Sequence, residues 1–481
     1  MVPPPDDEEH DCGWKAYAKA QEEALEQLRE QLASVRADLE QLRRGHRSEK
    51  RGRGQKLPPP VERKADPAAT ANTRRENARL KDLSCDTVVV DVPLPAGGCC
   101  CERCGSDKVR AIGSKSSVVY EHVREHLRKK VHNRQTAACL DCGHVVTAPA
   151  PQRFGEKSRY APSFVAHLVY SKWTSSMPQY RLEKAYRNLG IPISRSTMCD
   201  LVHRTARELA PLYGRMEALV RAAGDVHADE TSIRQQGLDQ KAFIWVFATP
   251  LVTVYRYATT RSGRVPSEVL ADSEGRLVVD QYTGYNHVTR VGNRVRAGCL
   301  AHARRKVYEQ NAHPEMAEAL DLIGEIYRVE HDAEKAGDSP EQLLARRQRD
   351  SKPAFIRLLC WARRQRHVHE PRSKPGQASR YLRKYHHALG QFLRHPGIPP
   401  DNNRAEAALR RVAVGRSNYL FVGNEETGQN HAILYSFMAT CEQHGVNPLD
   451  YLSDVLLRVQ THPAGRIDEL LPHRWRPPDT S

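Results

Sequence analysis

The hydrophobic pattern first predicts a coiled coil near the N-terminus. Apolar residues recur there at alternating spacings of three and four, the a/d repeat of a heptad. They are Leu25, Leu28, Leu32, Val35, Leu39 and Leu42. Because the flanking residues are too polar to supply a local core, we interpret residues 14–47 as a leucine zipper that makes the protein a homo-oligomer. The alternative is an amphipathic helix packed on its own domain.

A second helical pattern covers residues 155–222. Two helices are separated by a Gly-Ile-Pro turn at 190–192, and Ser194 is the predicted N-cap of the second helix. This spacing is typical of a helix-turn-helix, whose second helix enters the major groove of DNA. The predicted contact residues are Arg195, Ser196 and Thr197. Many helical hairpins carry a glycine and a serine cap, so a hairpin without DNA contact is the alternative.

From residue 223 the pattern changes to strands. Residues 223–303 predict three strands, a helix and two further strands with a connection between them. A meander that continues into βα units makes a mixed sheet with helices on its faces. We predict a helical insertion at 304–400, a return to the core with a further helix at 401–440, and a C-terminal segment at 441–481. The expected fold class is multidomain α+β or α/β.

The composition favours a polyanionic partner. The 481 residues include 74 Lys+Arg and 58 Asp+Glu, which gives a net charge of +16. A charge of this sign and size favours nucleic acid, although a basic protein that is merely soluble has the same composition. No apolar run approaches the ~18 residues that span a membrane. The first residues also lack the order of a signal peptide, so we expect a cytoplasmic protein without membrane contact.

Two cysteine pairs predict a structural zinc site at 85–150. Two CxxC motifs separated by 34 residues are typical of a zinc ribbon. The predicted ligands are Cys101, Cys104, Cys139 and Cys142. Cys99 or Cys100 could take part, and four unrelated buried thiols are the alternative. Before this region, residues 48–84 form a basic, proline-containing linker that either follows DNA phosphates or keeps the arm solvated.

Three acidic residues predict a catalytic centre. Asp229 lies near the end of the first strand after residue 223, Asp280 ends the fourth, and Glu406 lies on the following helix. The two strands can be neighbours at the sheet centre, so the three carboxylates would converge. Converging carboxylates usually bind divalent cations, and two Mg²⁺ or Mn²⁺ ions would activate an attacking oxygen and stabilise a leaving 3′-oxygen. Taken singly, each acid also fits a cap, a turn or an exposed helix position.

Residues near the fifth strand would support this centre. Cys299 and His302 end that strand, and we expect Cys299 in the core and His302 beside the phosphate site. A Cys-x-x-His metal site is the alternative, but no second pair lies nearby in the sequence. Further basic residues suit contact with the DNA backbone. They are Arg304, Arg305, Lys306 and Arg410.

Several longer motifs carry a resemblance to a known family. They are HADET at 227–231, GCLAHARRK at 298–306, DNNRAE at 401–406, GRSNYLFVG at 415–423 and NPLDYL at 447–452. With these, with RSEK after the zipper and with APAP after the second CxxC, the chain resembles the transposases of the IS66 insertion-sequence family over nearly its whole length. The resemblance implies an RNase H-like core with a DDE triad at Asp229, Asp280 and Glu406.

The resemblance also implies partners and activity. A transposase of this kind binds the terminal inverted repeats of its element and a target DNA, and small accessory proteins of the same element are implied as well. Two residues depart from the family pattern: Gln281 stands where glycine is usual, and Ala407 where arginine is usual. The rival hypotheses are a DNA-binding relative that no longer transposes and a metal-dependent nuclease without strand transfer.

Overall fold

The computed structural model describes residues 160–477, with Phe154, Ser158 and two short strands before them. The strands β1 (Thr136–Ala138) and β2 (Val145–Thr147) pair antiparallel, and the second CxxC motif stands between them in the sequence. The predicted coiled coil, the predicted linker and the four cysteines predicted to bind zinc lie outside the described residues. The chain divides into two units, Met1–Val119 and Tyr120–Ser481, and all described residues belong to the second.

Three helices open the described region. They are α1 (Pro162–Trp173), α2 (Gln179–Asn188) and α3 (Arg195–Ala222). The turn before α3 contains Gly190 at φ +87°, and Ser194 caps α3 by accepting a hydrogen bond from the Thr197 amide at 3.2 Å. The helices, the turn and the cap therefore lie where the sequence predicts them. The 28 residues of α3 extend into the core, where Tyr213 donates a hydrogen bond to the Tyr255 carbonyl at 2.7 Å.

A mixed sheet forms the centre of the molecule. Its strands are β3 (Asp225–Gln235), β4 (Ala242–Ala248), β5 (Thr253–Ala258), β6 (Gly275–Val279) and β7 (Arg294–Gly298). The spatial order is β5-β4-β3-β6-β7; the first three strands are antiparallel, whereas β3, β6 and β7 are parallel. The helix α4 (Arg264–Leu270) connects β5 to β6. This mixed α/β arrangement agrees with the predicted strand order and is compatible with an RNase H-like core.

The apolar sequence of β4 explains its central position. Strand β4 pairs with β3 on one side and β5 on the other, and Ile244, Trp245, Val246 and Phe247 are fully buried. Since both faces are covered, an uncharged run is stable there, whereas the flanking strands carry polar residues at their partly exposed positions.

The chain leaves the sheet for five helices before it returns. They are α5 (Leu300–Tyr308), α6 (Met316–Ala336), α7 (Pro340–Arg346), α8 (Lys352–Arg364) and α9 (Lys374–Leu389). They span residues 300–389, whereas the sequence places a helical insertion at 304–400. Four of these helices, α5, α6, α8 and α9, share a hydrophobic cluster that also includes Val278 of β6 and Ala297 of β7. The insertion is therefore packed on one face of the sheet rather than tethered to it by loops alone.

Three helices and a short strand complete the fold. They are α10 (Asn403–Tyr419), β8 (Phe421–Val422), α11 (Glu425–Gln443) and α12 (Pro448–Arg458). Helix α10 packs against β3 and β4, α11 against β5 and α3, and α12 against α1. Strand β8 extends β3 in parallel pairing at Arg234 and Gln235. Within the part of the chain that the structure describes, no helix has the length and apolarity to cross a membrane.

Candidate active site

Asp229 lies in the middle of β3, which corrects the prediction of a strand end. The strand has 11 residues, and Asp229 pairs with Val246 of β4. Strand β6 pairs only with Asp225, Val226 and His227, so it has ended before Asp229 is reached. The site therefore opens where parallel pairing stops. The sequence could not show this, because the extension of β3 depends on its partner strand and not on its own residues.

Asp280 directly follows the last residue of β6, as the sequence predicts. Its Oδ1 atom accepts a hydrogen bond from the Tyr282 amide at 2.8 Å. Arg296 of β7 holds the same turn, because its Nη2 atom donates to the Asp280 carbonyl at 3.0 Å and the Tyr282 carbonyl at 2.6 Å. The neighbouring parallel strand thus fixes the direction in which Asp280 leaves the sheet.

Glu406 lies in the first turn of α10, and the start of that helix is bound to the sheet through Asn402. The Asn402 Nδ2 atom donates to the Ala228 carbonyl at 2.8 Å, and its Oδ1 atom is 3.1 Å from His227 Nδ1. Since a carboxamide oxygen only accepts, His227 carries the proton on Nδ1. The Asn402 amide also lies 3.3 Å from the Cys299 sulfur, which accepts from it. Asn402 therefore joins β3, the end of β7 and α10.

The three carboxylates influence one another electrostatically. Burial, together with the smaller effects of the Glu230, Asp280 and Glu406 charges, raises the pKa of Asp229 to about 7. Asp280 and Glu406 act on Asp229 from two other elements, so the structure brings together the three acids that the sequence singled out. Oxygen ligands held against mutual repulsion are the donor set of hard divalent cations. The residues present therefore fit Mg²⁺ or Mn²⁺.

Glu230 has its own cationic partner and is distinct from Asp229. Its side chain is 1% exposed, accepts from Arg261 Nε at 2.7 Å and accepts from the Tyr285 hydroxyl at 2.6 Å. The Arg261 guanidinium also lies 3.9 Å from the centre of the Tyr282 ring. Sequence reasoning missed this group. The available signal was strand alternation, which turns adjacent residues of β3 to opposite faces of the sheet.

Cys299 and His302 stand next to Glu406. The Cys299 sulfur is 4.0 Å and the His302 Nδ1 atom 3.6 Å from Glu406 Oε1, and these ligand atoms all lie within 4.8 Å of one another. Cys299 is fully buried, as predicted, and burial raises the pKa of its thiol to about 11. His302 lies in the first turn of α5 and not on the strand, which ends at Gly298. The helical turn brings the imidazole back toward Glu406.

The predicted DNA-contacting side chains are exposed or at the surface. Arg304, Arg305 and Lys306 are exposed on α5, and Arg410 is exposed on α10 one turn after Glu406. At the start of α3, Arg195 is exposed and lies 3.4 Å from Glu183, while the Ser196 and Thr197 hydroxyls are each 2.9 Å from Ser194 Oγ.

The two departures from the family pattern occupy different environments. Ala407 is exposed, so an arginine at this position would point into solvent or toward a ligand. Gln281 is partly buried, and neither atom of its amide has a hydrogen-bond partner among the described residues. A Cβ atom at Gly298 would lie 3.1 Å from Gln281 Nε2, so this glycine leaves room for the longer side chain.

Comparison with known proteins decides the family. The model of the family described as "Transposase IS66 family" matches residues 157–430, which include all three acids, and that of the "IS66 C-terminal element" matches 436–473. The chain belongs to the IS66 transposase family. Proteins similar to this chain occur in Sinorhizobium fredii (strain NBRC 101917 / NGR234). Uncharacterized protein y4jD is 30% identical over 81% of this chain and 80% of its own length, and uncharacterized protein y4hP is 28% identical over 82% and 76%.

The two IS66 family matches cover the elements that form the candidate site and those that pack around them. The first family match spans the sheet, the helical insertion and α10, which are the elements that carry the acids. The second spans the end of α11 together with α12, which pack against β5 and α1. Membership of a transposase family implies DNA as a partner of the protein.

Proposed function

We propose that this IS66-family chain is an active DDE transposase with an RNase H-like catalytic core. It would bind the terminal inverted repeats of its element, cleave the DNA strand and transfer the 3′-hydroxyl end into target DNA. One observation carries the proposal: Asp229, Asp280 and Glu406, from three separate elements, lie close enough that the last two raise the pKa of the first. They do so beside the point where β6 stops pairing with β3.

The three carboxylates would hold two Mg²⁺ or Mn²⁺ ions. When bound, such ions supply activation of the attacking oxygen and stabilisation of the leaving 3′-oxygen. The protein's own contribution is to hold the acids in place: Asn402 fixes the start of the Glu406 helix, and Arg296 fixes the turn of Asp280. His302 lies beside the Glu406 carboxylate and would orient it, while the buried Cys299 sulfur packs behind both.

Basic groups around the acids would bind the DNA backbone. Arg304, Arg305 and Lys306 follow His302 on α5, and Arg410 follows Glu406 on α10, so exposed cationic side chains lie on both of these helices. The N-terminus of α3, with Arg195, Ser196 and Thr197, would contact the element end. We further propose that the zipper joins copies of the chain, that Cys101, Cys104, Cys139 and Cys142 bind structural zinc, and that accessory proteins of the element assist.

The test is strand transfer by the Asp280→Ala variant, assayed with labelled, pre-cleaved element ends in Mg²⁺. We expect activity to fall by at least about a hundredfold, the effect of removing one main electrostatic group. Binding of the same DNA should persist. The matched control is Asp272→Ala, which removes an exposed aspartate in the turn before β6. Undiminished strand transfer by Asp280→Ala would overturn the catalytic assignment.

A second candidate function is DNA binding without transposition. Ala407 favours it, because the family's usual arginine beside the glutamate is missing from an exposed position next to the site. If this candidate is right, the purified chain binds element ends without cutting them, and Ala407→Arg restores cleavage. Robust cleavage by the unmodified chain excludes it, and analysis of the products separates strand transfer from simple hydrolysis.

A further inference from the structure

A basic cleft lies in the helical insertion, away from the three acids. It has a volume of about 420 Å³ and lies between α8 with the turn that follows it and α9. Its lining residues are Leu359, Arg363, Arg366, His367, Arg383 and His386. Three guanidinium groups and two imidazoles therefore converge on one small volume. The C-terminal end of α8 contributes the opposite sign, but only about half an elementary charge.

The arginines of this cleft lack the acidic partners that their neighbours have. On the same helix, Arg357 pairs with Glu325 and Arg364 pairs with Glu318. Within the described part of the chain, Arg363, Arg366 and Arg383 form no ion pair. The Arg383 Nε atom is buried and has no hydrogen-bond partner there either. A buried N–H donor of a cation is costly when unpaired, so an anion bound in the cleft would stabilise Arg383.

The cleft also has a fixed geometry. The backbone of α9 leaves helical values at Tyr385, with φ −111° and ψ 17°, between Arg383 and His386. His386 Nδ1 lies 2.8 Å from the Arg383 carbonyl, which can only accept, so Nδ1 carries the proton. This hydrogen bond holds the imidazole in place. A planar guanidinium beside a fixed imidazole matches the tetrahedral oxygens of a phosphate group.

The cleft faces away from the catalytic carboxylates. Tyr381, two residues before Arg383 on α9, interacts electrostatically with Asp280 and Arg296. Two residues correspond to about 200° around a helix, so Tyr381 and Arg383 lie on opposite sides of α9. A phosphate in the cleft would therefore not be the scissile one. It would belong to DNA that passes over the other side of the insertion.

We propose that this cleft binds a backbone phosphate of duplex DNA outside the cleavage site, with Arg383 as its central ligand. The proposal deepens the proposed function and rests on it for the identity of the polyanion. It does not depend on the DDE chemistry. The cleft would anchor the flanking duplex while the acids act on the other side of α9.

The test measures duplex binding by the full chain, with EDTA present so that no strand is cut. Fluorescence anisotropy of a labelled duplex gives the affinity between about 50 and 200 mM salt. We expect Arg383→Gln to lower affinity by about three- to tenfold and to reduce the slope of log K against log salt by about 0.9, the value of one phosphate contact. Arg383→Lys keeps the charge and should retain most of the slope.

The matched control is Arg364→Gln, which removes the same charge from α8 at a paired position. It should leave the slope unchanged, and circular dichroism should show both variants folded. Equal slopes of log K against log salt for Arg383→Gln and Arg364→Gln would overturn the proposed role of the cleft while leaving the proposed function intact. A wild-type chain that binds no duplex would overturn both.

A small free anion could use the same chemistry, so the last arm titrates sulfate at constant ionic strength and follows thermal stability. Saturable stabilisation that Arg383→Gln abolishes, together with an unchanged DNA slope in that variant, would show a free-anion site and overturn the assignment to DNA. Loss of the DNA slope in Arg383→Gln supports the assignment whether or not sulfate binds.

Discussion

At the scale of single residues, the adjacent acids Asp229 and Glu230 of β3 have different charged neighbours. Glu230 forms an ion pair with Arg261 and accepts a hydrogen bond from the Tyr285 hydroxyl, whereas the charges that act on Asp229 come from other carboxylates. Burial raises the pKa of Asp229 most and the neighbouring carboxylates raise it as well, so a bound cation would relieve their repulsion. The difference follows from strand alternation, which sends one side chain toward α10 and the other toward the turn after β6.

Asn402 is the polar residue on which the position of Glu406 depends most directly. It is 1% exposed, and replacing it with alanine would leave the Ala228 carbonyl and His227 Nδ1 without their partner. We expect Asn402→Ala to lower the free energy of unfolding by about 2–4 kcal/mol, the cost of two buried groups left unpaired. Urea denaturation measures it. Asn188→Ala, at an exposed position of α2, should change stability by less than about 0.5 kcal/mol, and equal effects would contradict the role of Asn402.

Lys172 is a buried cation whose pH dependence can be measured. It is 8% exposed, and burial lowers its pKa to about 8, although its Nζ atom lies 5.1 Å from the Trp173 ring centre and 5.4 Å from that of Tyr419. Between pH 8 and 10.5 the unfolded chain keeps a proton that the folded chain has lost. The free energy of unfolding therefore rises with pH in that window. Below pH 8 the protonated, buried lysine lowers the stability of the fold by its full amount.

Replacing this lysine should remove the penalty. We expect Lys172→Met to raise the free energy of unfolding at pH 7 by about 1–3 kcal/mol and to flatten the rise at alkaline pH. Denaturation curves at several pH values give both quantities. Lys184→Met, at an exposed position of α2, is the control and should leave the pH profile as it is. If Lys172→Met keeps the rise at alkaline pH, a group other than Lys172 causes that rise.

At the scale of elements, α11 protects the edge of the sheet. Strand β5 is the last strand on its side, and its outer amides would otherwise be free to pair with another chain. Hydroxyl groups of α11 accept them instead: the Tyr255 amide donates to Ser436 Oγ at 2.8 Å, and the Thr253 amide donates to Thr440 Oγ1 at 3.1 Å. A helix thus completes the hydrogen bonding that a further strand beside β5 would supply.

Removing these hydroxyls should expose the edge. We expect the Ser436→Ala/Thr440→Val double variant to lower the free energy of unfolding by about 2–4 kcal/mol, because two buried amides lose their acceptors. It should also self-associate on heating, which light scattering detects. Ser417→Ala on the exposed side of α10 removes a hydroxyl that bonds within its own helix, and it should do neither. Unchanged stability in the double variant would show that water replaces the hydroxyls.

At the scale of the whole molecule, the described residues form two hydrophobic clusters, and the insertion contains a buried polar network. One cluster contains the helices and the sheet, and the other contains the insertion with its face of β6 and β7. Arg347, 1% exposed, binds Glu330 of α6 through two hydrogen bonds of 2.7 and 2.6 Å. The same guanidinium donates to the carbonyls of Phe392 and Ile398, on the segment that leads back to Glu406. The insertion therefore helps to position the third acid.

The planar fork of Arg347 cannot be replaced by lysine. We expect Arg347→Lys to lose several of these hydrogen bonds and to reduce strand transfer by about tenfold or more, since the return segment before α10 loosens. Hydrogen exchange should show lost protection at 391–398 while β3 to β5 stay protected. Arg349→Lys changes an exposed arginine paired with Asp350 and serves as the control. If Arg347→Lys keeps its hydrogen-exchange protection at 391–398, Arg347 does not couple the insertion to the site.

The fold was largely predictable because its signals are local. The alternation in β3, the apolar run of β4 and the cap at Ser194 each depend on neighbours within a few residues. The roles of Asn402 and Arg261 could not be predicted in the same way. Asn402 and Ala228 are 174 positions apart, and the partner of Glu230 comes from a turn 31 positions later.

The sequence by itself determined which segments become strands and helices and which acids are candidates for the site, because periodicity and motif spacing act over short distances along the chain. Only the tertiary structure decided which acid is left without a cation. Asp229 and Glu230 are adjacent in the sequence, but their charges depend on burial and on groups from β6, α10 and the turn that carries Arg261. Electrostatic energy depends on distance in space, and folding alone sets that distance.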